Sequence, residues 1–111
     1  MVKYMANTFL AVKTLYANEM KILSDKLGIN YDDVKKMVAI DKRIGEWGLS
    51  VTPFKGVGGK CYPKDSVALL GLAKKLNVDL SILNAAWKKN LKIRKVKDWE
   101  DIEGAVTVKN K

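Results

Sequence analysis

The sequence contains no histidine, a single cysteine, only two prolines, and no apolar run approaching a membrane span of about 20 residues. Each shortage removes a class of function. Without histidine there is no Ser-His or Cys-His catalysis, and the usual imidazole metal ligands are gone. One cysteine, Cys61, excludes an internal disulfide and any cysteine-based zinc site. Met1-Val2-Lys3-Tyr4 leads straight into a helical pattern, with no basic-then-apolar leader, so the expectation is a soluble, cytoplasmic protein with no membrane association.

What is present is a basic, ordinary globular composition. Apolar residues at 48% and charged residues at 30% place the chain away from disordered sequences, and 111 residues suit one domain with a modest core. A net charge of +9 favours anionic partners: nucleic acid, anionic lipid or a phosphorylated small molecule. Apolar residues recur at Met5, Phe9, Val12, Tyr16, Met20, Leu23 and Leu27, a helical period, with Ala6, Leu10 and Ala17 widening the stripe. The spacing predicts a helix over residues 2–27, roughly 36–39 Å long, with Gly28 as its C-terminal cap. Such a length implies either a partner chain or a helical hairpin partner within this one. A second helix is expected from the Asn30 cap to about Ile40, with Asp32 and Asp33 in its first turn and Ile29 stapled onto Val34. A third is expected to begin at Pro63 and end near Leu76, and a fourth to run from about Asp79 to Lys95, burying Leu80, Leu83, Trp87 and Leu91. The fold class is therefore all-α: one long helix and about three shorter ones in residues 1–96. Residues 97–111 form a tail in which Ala105-Val106-Thr107-Val108 could add a short strand or hang loose.

The chemistry is concentrated in Gly56-Val57-Gly58-Gly59-Lys60-Cys61-Tyr62-Pro63-Lys64-Asp65. Glycines let backbone approach a ligand closely and adopt positive φ. Cys61 falls just before a helix whose first-turn N–H groups and dipole favour an anion, with Lys60 and Lys64 adding positive charge. Asp65 lies on the first turn of the same helix. Taken alone, these features more often mean a small buried cysteine after a plain connecting loop. The glycines form neither a dinucleotide fingerprint, since no strand precedes them, nor a Walker A loop, since no Gly-Lys-Ser/Thr follows.

The same decapeptide resembles the G-x-G-G-x-C-[FY]-P-K-D signature of UDP-glucose and UDP-N-acetylmannosamine dehydrogenases. Three further segments are similar to that family's central domain: Lys3 to Ala11 to its K-x-x-x-N-x-x-L-A opening, Asn18-Glu19 to its N-E pair, and Asp41-Lys42-Arg43-Ile44-Gly45 to its D-x-R-I-G turn. They occur in the family's order and cover residues 2–95. The implied fold is the central helical domain of nucleotide-sugar dehydrogenases, like the C-terminal domain of 6-phosphogluconate dehydrogenase.

The implied activity is oxidation of a sugar C6 alcohol to a carboxylate with two NAD molecules. The cysteine matching Cys61 forms a thiohemiacetal, then a thioester that water hydrolyses. In that scheme Lys3 stabilises charge on the substrate oxygen, Asn7 hydrogen-bonds that oxygen or a water, and Asp65 activates water or shuttles the proton. Arg43 reaches a neighbouring subunit's nucleotide-sugar, while Gly56, Gly58, Gly59 and Tyr62 line the sugar and diphosphate. The resemblance implies a homodimer through the long first helix and a UDP-sugar ligand.

Departures from the family pattern are also visible. The family's Rossmann domains have no counterpart in this sequence, so no NAD is expected to bind this chain, and turnover is expected to need a separate NAD-binding domain or chain. Thr52-Pro53-Phe54-Lys55 differs from the family's N-P-G-x. The expectation is a fragment of a longer frame, a subunit completed by a partner, or a remnant reused as a dimeric binding or regulatory module. The basic run from Lys88 to Lys97 next to Trp87 and Trp99 would suit nucleic acid. Its helical period instead reads as a solvated face, so nucleic acid is not the expected partner.

Overall fold

A computed structural model describes residues 1–100, and among them the chain is all helical, with no strand. Helix α1 spans Val2–Leu27, α2 Tyr31–Ala39, α3 Cys61–Lys75 and α4 Ser81–Ile93, followed by a short 3-10 turn at Asp98–Glu100. The expected strand or loose end at residues 105–108 lies outside the described residues. No described helix is long and apolar enough to cross a membrane.

Helix α1 is the spine of the domain. Its 26 residues give about 39 Å at 1.5 Å per residue, nearly the whole 41 Å long axis of the molecule. All three other helices pack on it, and α3 and α4 pack on each other. Thr8, Ala11, Leu15 and Asn18 form its buried row, at spacings of three and four residues. These are mostly small side chains, because α3 and α4 both approach the spine closely. The two threonines on this face, Thr8 and Thr14, spend their hydroxyls on the carbonyls of Tyr4 (2.7 Å) and Leu10 (3.0 Å), so neither is left unsatisfied. The large apolar row read from the sequence points the other way: Met5, Phe9, Tyr16, Leu23 and Leu27 are all exposed, Met5 by 68% and Phe9 by 66%.

Helix ends follow local chemistry. Gly28, at φ +71°, closes α1 in a Schellman arrangement: its N–H donates to the Asp25 carbonyl and the Ile29 N–H to that of Ser24. The Asn30 side chain accepts from the N–H groups of Asp32 and Asp33 to open α2. Helix α3 starts at Cys61, two residues earlier than the sequence suggested. Pro63 is tolerated there because first-turn N–H groups have no intrahelical partner anyway. Helix α4 is shorter at both ends than the expected Asp79–Lys95 span, and its Leu83 is buried. The body continues past α4, since Trp99 is 1% exposed and packs tilted against Trp87, the ring centres 5.4 Å apart.

Tyr31 ties α2 to the long connection before α3: its hydroxyl donates to the Leu49 carbonyl at 2.7 Å, and both residues are buried. Burial, and then the neighbouring charge of Asp32, pushes this phenol above the ordinary tyrosine range. Tyr31→Phe leaves the Leu49 carbonyl unpaired and is expected to cost about 1–2 kcal/mol in urea unfolding at pH 7. A phenol with a raised folded value contributes stability that is present below the ordinary value and lost as pH rises through the folded one. The wild-type advantage over Tyr31→Phe is therefore expected to narrow as pH rises past about 10; a gap constant with pH would contradict this account of Tyr31.

Candidate active site at the start of α3

The glycine loop turns sharply before α3. Lys55 and Gly56 both sit at φ +60° and Gly59 at φ +80°, the left-handed region that favours glycine. Such a loop has no ladder to satisfy its backbone, so side chains do it. The Gly56 N–H donates to Asn18 Oδ1 on α1 (3.0 Å), and the Val57 N–H to Asn90 Oδ1 on α4 (2.8 Å). Asn90 Nδ2 donates back to the Val57 carbonyl (3.0 Å), and the Gly59 N–H donates to Asp98 Oδ1 (2.9 Å). A Cβ at Gly56 would collide with the Asn90 amide, and one at Gly58 with the Arg94 guanidinium and the Asp98 carboxylate. A Cβ at Gly59 would meet nothing. The close approach at Gly56 and Gly58 is thus made by protein side chains, while Gly59 faces open space.

Past the loop, Cys61 is the first residue of α3 and is exposed. Asp65, one turn later, has no exposed surface. Asn7 Nδ2 on α1 donates to Asp65 Oδ2 at 2.8 Å, so α1 and α3 are joined by a side-chain hydrogen bond across 58 residues of sequence. The other carboxylate oxygen, Oδ1, has the Lys64 ammonium at 3.9 Å but no hydrogen-bond partner among the described residues. Buried polar atoms are seldom left so, and an oxygen in this state is an acceptor waiting for a donor. Lys3 is exposed one turn before Asn7 on α1, hence on the same side of the helix. Tyr62 packs at 5.8 Å against Trp47, an aromatic partner that sequence reading did not single out.

Asn7 and Asp65 are therefore brought together across α1 and α3, with Cys61 one turn before Asp65 on α3; Lys3, one turn before Asn7, lies toward the end of α1 that meets the C-terminal half of α3. Arg43 stands apart. It lies in the turn after α2, closed by the Ile44 and Gly45 N–H groups on the Asp41 carbonyl. Its guanidinium is held by Asp41 through Nε (3.1 Å) and Nη2 (2.8 Å), while the side chain is 89% exposed. Those hydrogen bonds hold the Asp41 carboxyl below its ordinary range and raise Arg43. No hydrogen bond or ion pair links Arg43 to the cysteine end among the described residues.

Asn18, Asn90, Arg94 and Asp98 were not foreseen as loop holders. The signal that could have found them is the spacing of Asn90, Arg94 and Asp98, one turn apart each, inside an otherwise basic run. Several charges of that run are engaged internally: Lys89 with Glu19 (3.6 Å), Arg94 with Asp98 (3.6 Å), and Lys97 with the Arg94 carbonyl (3.2 Å). No group of three or more Cys, Asp or Glu able to hold a metal occurs among the described residues.

Residues 1–92 match the UDP-glucose/GDP-mannose dehydrogenase family, central domain. The chain is 43% identical over 90 residues to the UDP-glucose 6-dehydrogenase of Rickettsia felis, covering 81% of this chain and 20% of that protein. It is 40% identical over 88 residues to the UDP-glucose 6-dehydrogenase of Pseudomonas aeruginosa, covering 79% of this chain and 19% of that one. With the UDP-glucose 6-dehydrogenase TuaD of Bacillus subtilis it shares 36% identity over 94 residues, covering 85% and 20%. The chain spans about a fifth of the length of these relatives. On this match, and on the helical fold that carries it, the chain belongs to the UDP-glucose/GDP-mannose dehydrogenase family, whose central domain it represents.

Proposed function

We propose that this chain supplies the nucleophile and the proton-handling groups of a UDP-sugar 6-dehydrogenase, working in the cytoplasm, where the reducing environment keeps Cys61 a free thiol. The observation that carries this reading is the buried Asp65, held by Asn7 on one oxygen and without a hydrogen-bond partner on the other among the described residues, one turn from an exposed cysteine at a helix start.

The chemistry assigned to these residues is the part that needs no cofactor. Cys61 Sγ adds as the thiolate to the carbonyl carbon of a C6 aldehyde: a C–S bond forms, and the carbonyl π pair moves onto oxygen. The Lys3 ammonium steadies that oxygen. At the thioester stage a water gives its proton to Asp65 and attacks the carbonyl carbon; the C–S bond breaks and Cys61 leaves as thiolate. Asn7 occupies Oδ2, which leaves Oδ1 as the oxygen that takes the proton.

The oxidations themselves belong to NAD. The described residues are all helical, and the glycine loop follows no strand, so they do not fit that cofactor; the proposal places it on a domain outside these 111 residues. Gly59 and Tyr62 shape the wall that receives the sugar and diphosphate, while Gly56 and Gly58, packed against Asn90, Arg94 and Asp98, set the loop behind it. Arg43, oriented by Asp41 and directed outward, reaches the nucleotide-sugar of a neighbouring subunit. The outward row of Met5, Phe9, Tyr16, Leu23 and Leu27 is the face on which two copies pair.

Iodoacetamide labelling of Cys61, followed by mass spectrometry, tests the site. UDP-glucose at ten times its dissociation constant is expected to slow labelling about tenfold, by simple occupancy. An unchanged rate with UDP-glucose in millimolar excess would remove the nucleotide-sugar from the reading. For the assembly, light scattering is expected to report twice the 12.4 kDa chain mass, and the paired change Phe9→Lys and Tyr16→Lys is expected to halve it. A wild-type chain that scatters as a monomer contradicts pairing through α1.

A further inference from the structure

We infer that Asn90, Arg94 and Asp98 form a positioning row that sets the glycine loop and, through it, the turn that presents Cys61. The inference deepens the reading of Cys61 as nucleophile and rests on it. Asn90 lies in the last turn of α4, Arg94 is its extended C-cap, and Asp98 opens the 3-10 turn; Arg94 Nη2 lies 3.6 Å from Asp98 Oδ1, and all three residues meet the same loop.

Each member meets a different residue of the loop. Asn90, fully buried, uses both ends of its amide on Val57, donating to the carbonyl at 3.0 Å and accepting from the N–H at 2.8 Å. Only a carboxamide offers that donor and acceptor together; aspartate lacks the donor. Arg94 Nη1 donates to the Lys55 carbonyl at 2.9 Å, and its guanidinium lies 5.6 Å from the centre of the Phe54 ring. Lys55 is a non-glycine residue at φ +60°, a conformation that surrounding contacts must hold in place. The Lys95 N–H adds a bond to the Phe54 carbonyl at 3.0 Å. Asp98 Oδ1 accepts from the Gly59 N–H at 2.9 Å, two residues before Cys61.

Two of the signature glycines are explained from the same side. A methyl group at Gly56 would overlap the Asn90 amide, and one at Gly58 would overlap Arg94 and Asp98. The loop and the row are therefore complementary surfaces. With three loop N–H groups spent on Asn18, Asn90 and Asp98, the loop's path does not depend on a bound ligand to satisfy them. The row thus delivers Gly59 and the start of α3 in a fixed direction before any sugar arrives, which is what a reacting sulfur needs.

The test uses the intact chain without nucleotide, so it stands apart from the UDP-glucose experiment. Amide exchange by NMR reads Val57 and Gly59, and iodoacetamide kinetics read Cys61. In the wild type both amides are expected to exchange roughly a hundredfold slower than free amides, as internally bonded groups do. Asp98→Ala is expected to speed Gly59 exchange roughly tenfold and to shift the Cys61 rate by about threefold or more. Asp98→Asn keeps an oxygen that accepts from Gly59 but loses the charge that pairs with Arg94. It is expected to stay within about twofold of the wild type in both readouts. Asp98 is 40% exposed, so neither change threatens the core, and the wild-type exchange measurement needs no variant. Gly59 exchanging as a free amide in the wild type overturns the inference. So does a Cys61 rate unmoved by Asp98→Ala, or an Asp98→Asn chain that behaves like Asp98→Ala.

Discussion

A carboxylate with no exposed surface is the feature around which this domain is arranged. Removing Asp65 from water is costly unless its oxygens are engaged, and one of them is engaged by Asn7 from the neighbouring helix. That bond fixes the register of α1 against α3. It also leaves the other oxygen buried without a hydrogen-bond partner among the described residues, with the Lys64 ammonium at 3.9 Å, one turn from Cys61. Among the largest fully buried side chains are Trp99, Asn90, Asp65, Pro63 and Ser66, so much of the deepest packing is polar. In a domain this small, polar groups at the centre specify one arrangement at some expense of stability, a balance familiar from sites that must be pre-formed.

The second constraint is the spine. Because α3 and α4 both approach α1 closely, its inner face carries Thr8, Ala11 and Asn18, and its large apolar side chains are displaced outward. The outward row of Met5, Phe9, Tyr16, Leu23 and Leu27 is a larger apolar stripe than an isolated helix face needs. The two sides of one helix thus serve different ends: the small-residue side builds the site, and the large-residue side is offered to a second copy in the proposed assembly.

The helices themselves were legible in the sequence because their signals are local. Gly28 and Asn30 act within one turn, and the structure shows both as caps. Helix α3 was misplaced by two residues because Pro63 was read as the first helical position, although any of the first few positions can lack an N–H partner. Of the site the resemblance named, the fold brings Asn7 against Asp65 across two helices, and local pattern could show only that each lies on a helix. Illegible were contacts whose two halves are far apart in sequence. Nothing local says that Asn90 grips Val57, 33 residues earlier, or that Gly56 is a glycine because Asn90 occupies the space its side chain would need. The α1 stripe was legible as a helical period but not as to what covers it: close helix approach gives the interior to Thr8, Ala11 and Asn18, and the large apolar residues face outward.

In the proposed reaction Cys61 and Asp65 serve the same sugar C6, the sulfur as nucleophile and the carboxylate as acceptor of the water's proton. A crystal structure of the chain with UDP-glucose tests it most directly. The account predicts the sugar C6 within roughly 3.5 Å of Cys61 Sγ, with its hydroxyl or an ordered water donating to Asp65 Oδ1. A nucleotide-sugar bound with C6 turned away from Cys61, or with Asp65 Oδ1 engaged by another protein group instead, would contradict it.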